Sequence, residues 1–164
     1  RVNDSGIVRI GDTAVTPGLK FWTWGVGSLD NNPNNPADEY RSYIELWAGH
    51  GLQFFQDQTI GASVTKTWRE SYFPSFGLDD YTKANDKAAV QLIRAGSAVT
   101  AAVSAVEPGK LLTGEFFQDG TVLNSAEQTA SAVRATKWTY TGSQTGIGFR
   151  LKDAAGTIMI SLTE

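Results

Sequence analysis

Short alternations of apolar and polar residues run along most of the chain, and they predict strands. In the first half the predicted strands cover residues 7–10, 20–26, 41–48 and 63–73, with Pro74 ending the last one. Within residues 20–26 the alternation puts Phe21 and Thr23 on one face and Trp22 and Trp24 on the other. The sequence has no long apolar stripe of helical period. The pattern therefore predicts an all-β fold.

The second half predicts a compact β-sandwich, immunoglobulin-like or fibronectin-like. Seven short strands are expected, at residues 90–94, 99–106, 111–118, 121–123, 132–140, 147–152 and 157–162. Two tight turns support this prediction. Asp119-Gly120 and residues 153–156 supply the Gly and Asp that hairpin turns with positive φ require.

Composition divides the chain near residue 80. Of the 18 aromatic residues, 13 lie between Phe21 and Tyr81, whereas Ala, Thr, Ser and Val dominate afterwards. We place a boundary at residues 76–85. The predicted domains are residues 1–80 and 88–164.

Charge and composition exclude several classes of function. With 14 basic and 17 acidic residues the net charge is −3, which leaves no basic surface for nucleic acid. No stretch approaches the roughly 20 apolar residues of a membrane helix, so no membrane partner is expected. The absence of cysteine excludes disulfides and thiol catalysis and leaves the cellular compartment open.

His50 is the one histidine of the chain. Without a second imidazole or a cysteine, only carboxylates such as Glu45 and Asp57 could complete a metal site, so no metal and no cofactor are expected. The simplest expectation is that His50 lies exposed in the loop between Gly49 and Gly51. It is also a candidate binding residue.

Tryptophans and a carboxylate on neighbouring strands indicate carbohydrate binding. A sugar ring could stack on the indoles of Trp22, Trp24 and Trp47. Glu45 lies two residues before Trp47 and so on the same face, where its carboxylate could accept hydrogen bonds from the sugar hydroxyl groups. Tryptophans at alternating strand positions are also typical of a sandwich core. Arg41, four residues before Glu45 on the same face, could bind the sugar or pair with Glu45 structurally.

Four motifs in order resemble an uncharacterised bacterial family. They are GLKFWTWG at residues 18–25, YIELWAG at 43–49, WRESYFP at 68–74 and ANDKAAV at 84–90, and the resemblance covers about residues 6–95. In proteins of that family, the N-terminal region is a galactose-mutarotase-like β-supersandwich. The resemblance implies that residues 1–80 are the closing strands of such a domain, in a piece of a longer protein.

In aldose mutarotases, which this architecture is similar to, a late-strand glutamate is the catalytic base and an upstream histidine is the acid. The resemblance thus implies Glu45 as a base, although Leu46-Trp47 follow it where those enzymes have Thr-Gln. The acid histidine would lie before residue 1. We therefore expect no catalysis by this chain alone.

Three functions remain as expectations. The leading one is a fragment of a carbohydrate-recognising β protein, with residues 88–164 as a spacer sandwich. The second is part of a mutarotase-type epimerase or a related sugar-active enzyme, with Glu45 as base. The third is a structural or protein-interaction module, in which strands that lack partners predict self-association or association with the rest of the parent protein.

Overall fold

The computed structural model describes residues 5–24, 43–53 and 55–164, without the side chains of residues 20–24 and 43–45. Every regular element in these residues is a strand, which confirms the all-β prediction. The strands are β1 (Ser5–Gly11), β2 (Gly18–Trp24), β3 (Tyr43–Gly49), β4 (Glu70–Phe76), β5 (Lys83–Ala84), β6 (Ala88–Ala95), β7 (Ala98–Ala105), β8 (Leu111–Gln118), β9 (Thr121–Thr129), β10 (Thr136–Thr141), β11 (Gly148–Lys152) and β12 (Ile158–Thr163).

The chain divides into two compact units. We call Arg1–Ile10 with Ser71–Glu164 the sandwich unit, and Gly11–Glu70 the hairpin unit. Residues 71–80 therefore group with the second half of the chain. The division into domains at 1–80 and 88–164 remains a sequence-based prediction.

The sandwich unit is built from two four-stranded antiparallel sheets. The first sheet has the order β10-β7-β6-β5 and the second the order β12-β11-β8-β9. Alternate residues of both sheets face each other and form the main core. Its buried members are Ala88, Val90, Val99, Ala101, Val103, Leu112, Phe116, Ala130, Trp138, Ile147, Phe149, Leu151, Ile160 and Leu162.

The two-stranded sheet of β1 and β4 forms a third layer of this unit. A second core cluster joins Val8 of β1 and Phe73 of β4 to Ala89 of β6 and Ala102 of β7. Because side chains alternate along a strand, these two alanines lie on the face of the first sheet opposite the main core. The first sheet is thus buried on both faces, which explains its many small residues.

Side-chain donors form hydrogen bonds with backbone carbonyl groups along both seams, the two sides of the sandwich where an edge of one sheet meets an edge of the other. At one seam Lys83 Nζ donates to the Ser161 carbonyl at 2.8 Å, and Asn85 Nδ2 donates to the Met159 carbonyl at 2.8 Å. These bonds satisfy carbonyl groups on the edge strand β12. Such edges otherwise pair readily with strands from other chains.

The other seam is closed in the same way. Trp138 Nε1 of β10 donates to the Ala126 carbonyl of β9 at 2.8 Å, and Gln128 Nε2 donates to the Lys137 carbonyl. The indole N–H of Trp138, which is 3% exposed, therefore has the partner that burial demands. Polar side chains fasten both sides of the sandwich.

Candidate functional site

The hairpin unit contains the predicted aromatic site, in the antiparallel pair of β2 and β3. The register pairs Trp22 with Glu45 and Trp24 with Tyr43. Directly paired residues share a face of an antiparallel pair, and so do residues two apart on one strand. The register positions of Trp22, Trp24, Glu45 and Trp47 therefore lie on one face of this pair of strands.

Trp47 is the one of these four residues whose side chain the structure describes. It is 50% exposed, so this indole is not part of a closed core. The interpretation of all the tryptophans as core residues fails for Trp47. Half-burial is the arrangement expected of a ring that rests on the sheet and presents a face to a ligand.

Several of the predicted site residues, or their side chains, lie outside the part of the chain that the structure describes. Arg41 lies outside the described residues, and so do the side chains of Trp22, Trp24 and Glu45. The pairing of Arg41 with Glu45 therefore stays a prediction. For Trp22, Trp24 and Glu45 the structure therefore gives only the backbone positions, through the register of β2 and β3.

The expectation that His50 lies exposed in its loop is wrong. Its side chain is half-buried, and its Nδ1 lies 2.7 Å from the Val15 carbonyl oxygen. Because a carbonyl only accepts, Nδ1 carries the proton and donates it. The imidazole also meets the Trp68 ring edge to face, with centroids 4.6 Å apart. These contacts connect three segments of the hairpin unit.

A turn before β2 presents the carbonyl that His50 binds. Asp12 Oδ1 accepts the Ala14 N–H at 2.9 Å, and the Asp12 carbonyl accepts the Thr16 N–H at 2.8 Å. A carboxylate that bonds to the backbone two residues later is typical of turns opened by Asp. The turn fixes Val15, and His50 then fills the position beside it. Its Nε2 is buried and has no hydrogen-bond partner among the described residues.

Residues 51–69 of the hairpin unit carry large apolar side chains on the surface. The described part of this segment has no strand, so the prediction of a strand beginning at residue 63 is wrong, and β4 begins at Glu70. Phe55 is 92% exposed. Other half-exposed or more exposed members are Leu52, Ile60, Val64 and Trp68. The sequence analysis did not single out this apolar surface.

The sandwich unit has a cleft of about 630 Å³ at one end, which the sequence analysis also missed. Val106, Leu111 and Ile158 contribute apolar surface to it. Its rim carries charges of both signs, with Lys87 Nζ 3.9 Å from Asp86 and Lys110 Nζ 3.9 Å from Glu107. Each of these cations thus has a carboxylate nearby, and Asp153 adds a third carboxylate to the lining.

Neither a metal-binding cluster nor a membrane-spanning helix is present in the part of the chain that the structure describes. No group of three or more His, Asp or Glu side chains there could hold a metal ion. None of the described residues forms a helix that could cross a bilayer.

In three comparisons, no protein-family model, no curated protein and no solved structure matches this chain.

Proposed function

We propose that this chain is a non-catalytic carbohydrate-binding module and that the face of β2 and β3 carrying Trp22, Trp24, Glu45 and Trp47 binds the sugar. The observation that supports it most is the register, which opposes Trp22 to Glu45 within a row of tryptophans. Exposure of half of Trp47 supports it as well. The sandwich unit serves as the spacer in this proposal, as in immunoglobulin-like and fibronectin-like modules.

The chemistry of such a face suits a sugar. An aromatic ring gains apolar contact with the C–H face of a pyranose, and its negative π-face attracts those polarised hydrogens. A carboxylate beside the ring accepts hydrogen bonds from two sugar hydroxyl groups, and hydrogen bonds to a charged acceptor are stronger than those to a neutral one. Tryptophans at successive positions along one face favour a chain of sugars over a single one.

A mutarotase-type reaction, which the family resemblance implies, is the weaker proposal. That reaction needs an acid opposite the base Glu45 to protonate the ring oxygen. The acid histidine of that reaction would lie before residue 1, and His50 does not replace it, because its Nδ1–H is donated to the Val15 carbonyl. Binding through Glu45 needs no such partner.

Replacing Trp47 by Ala tests the binding face. We expect sugar affinity to fall about tenfold, because the variant loses one of the three stacking rings of the face. The measurement is tryptophan fluorescence titrated with monosaccharides and oligosaccharides at millimolar concentration. Tyr81→Ala is the control, because Tyr81 is 47% exposed, a fraction close to that of Trp47, but lies in the sandwich unit and not on β2 or β3.

Two outcomes would contradict the proposal. One is the absence of any saturable signal with the native chain across the sugar panel. The other is an equal loss of affinity in Trp47→Ala and Tyr81→Ala. Glu45→Gln adds a second test, since it keeps the shape and removes the charge. It should weaken binding while the melting temperature holds.

A protein-interaction module is a second candidate, favoured by the exposed apolar side chains of residues 51–69. A surface of this kind marks sites where another protein docks. Under this candidate no sugar gives a signal, and the chain self-associates in sedimentation measurements. Phe55→Ser, which removes the most exposed of these side chains, should then restore the monomer.

A further inference from the structure

A second cleft in the sandwich unit differs from the first in its charge. It has a volume of about 530 Å³ and lies beside the loop between β9 and β10. Arg134 and Lys137 line it together with the hydroxyl side chains of Thr129, Ser131 and Thr136. No carboxylate is among its described lining residues. The cleft is positive although the whole chain carries a net charge of −3.

Neither cation of this cleft has an ion-pair partner among the described residues. Every other described cation of the sandwich unit has an acceptor or another partner. These are Arg9, Lys83, Lys87, Arg94, Lys110, Arg150 and Lys152. Two cations that line one cleft, with no carboxylate among its described lining residues, make the cleft attractive to an anion.

Thr136 adds an independent observation. The residue is 7% exposed, and its Oγ1 accepts the Ser131 N–H at 3.0 Å. A hydroxyl that accepts one bond still has its own proton to donate. A buried donor requires an acceptor, and Thr136 lines the cleft in which an oxygen ligand could supply one.

The wall of the cleft is held in place by close backbone packing. Gly77 has φ of +69°, and a Cβ at this position would meet the Ala135 nitrogen at 2.5 Å. Only glycine allows this approach with this φ. The loop that carries Arg134 is thus packed against residue 77, so the site is largely formed before a ligand arrives.

We propose that this cleft binds the oxyanion group of an acidic ligand, a carboxylate or a sulfate or phosphate group. Arg134 and Lys137 supply the charge, and the Thr136 hydroxyl donates a hydrogen bond to one of the ligand oxygens. The arrangement is independent of the aromatic face in the hairpin unit. The site would also bind an isolated inorganic anion, which makes it testable without knowledge of the natural ligand.

The test is an amide NMR titration of the full chain with sodium sulfate, sodium phosphate and sodium acetate at constant ionic strength. We expect saturable shifts at the amides of residues 131–137 and 77 with at least one of them. The anion that saturates at the lowest concentration identifies the ligand class. Arg134→Gln/Lys137→Gln should bind that anion at least about tenfold more weakly, with an unchanged melting temperature.

Lys110→Gln is the matched control, because it removes a lysine from the other cleft, where a carboxylate lies 3.9 Å away. It should bind the anion as the native chain does. Shifts that stay linear for all three anions would overturn the proposal. So would equal affinity in the native chain and the double variant.

Discussion

Gly114→Ala is expected to lower the free energy of unfolding of the sandwich unit by about 3 kcal/mol. Gly114 lies on β8 opposite the indole of Trp138, and a Cβ there would come within 2.7 Å of three indole atoms. The ring cannot move away, because Trp138 is 3% exposed and its Nε1 donates a hydrogen bond to the Ala126 carbonyl. Its ring centroid also lies 5.8 Å from the centroid of the Phe149 ring. Urea unfolding followed by circular dichroism measures the loss.

A control and a cycle of variants separate this contact from the general effect of replacing a strand glycine. Gly49 ends β3 with nothing within 4 Å of an added Cβ, so Gly49→Ala should change stability by no more than about 0.5 kcal/mol. In a Trp138→Leu background Gly114→Ala should lose most of its effect, because the large ring is gone. An equal loss in both backgrounds would show that the indole contact is not the cause.

The sequence predicts those parts of the fold that local signals determine. The predicted strand at residues 111–118 coincides with β8, because a short run with apolar residues near both ends leads directly into a turn with its own signature. Asp119 and Gly120 both have positive φ, 49° and 81°, as the Asp-Gly pair predicts. In β8 and this turn, the information lies within a few residues of the chain.

The predicted strand bounds are wrong where the pairing of strands determines where a strand begins and ends. Pro74 was expected to end a strand, yet it lies within β4, because each strand of a two-stranded sheet has an open edge where a missing N–H is tolerated. Likewise β9 continues to Thr129, six residues beyond its predicted end, because this edge strand is largely exposed and carries little apolar alternation.

The candidate site shows the same division. Alternation alone places Trp22 on the same face as Trp24, and Glu45 on the same face as Trp47. Which residues of the two strands lie opposite each other depends on the register of β2 and β3, and 18 residues separate these strands in the sequence. The contact of His50 with Val15 spans 35 residues and has no signal in the sequence. The cleft of Arg134 and Lys137 forms only when loops from distant parts of the chain meet.

Glu115→Gln is expected to lower the free energy of unfolding by about 2 kcal/mol. Glu115 lies on β8 with 8% of its surface exposed, and it accepts hydrogen bonds from Lys152 Nζ at 2.7 Å and from Arg150 Nε. The neutral amide leaves two cations side by side without their counter-charge. The effect is smaller than for a fully buried pair, because both cationic side chains remain 22% exposed.

The same carboxylate predicts how stability depends on pH. The hydrogen bond from Lys152, with that from Arg150, holds the pKa of Glu115 below its usual value of 4.5. Its contribution is therefore complete above about pH 4.5 and is lost as the pH falls through the lower pKa of the folded state. Arg94 lowers the pKa of Glu164 in the same direction. Acid should destabilise the native chain more steeply than Glu115→Gln.

Glu107→Gln provides the matched control for this prediction. Glu107 also lies beside a lysine, but its side chain is 74% exposed and the distance to Lys110 is 3.9 Å. Solvent screens such a pair, so this variant should differ from the native chain by less than about 0.5 kcal/mol at any pH. Urea unfolding between pH 3 and pH 7 distinguishes the two carboxylates. Parallel pH profiles for the native chain and Glu115→Gln would contradict the role given to Glu115, because only a carboxylate bonded in the folded state adds this slope.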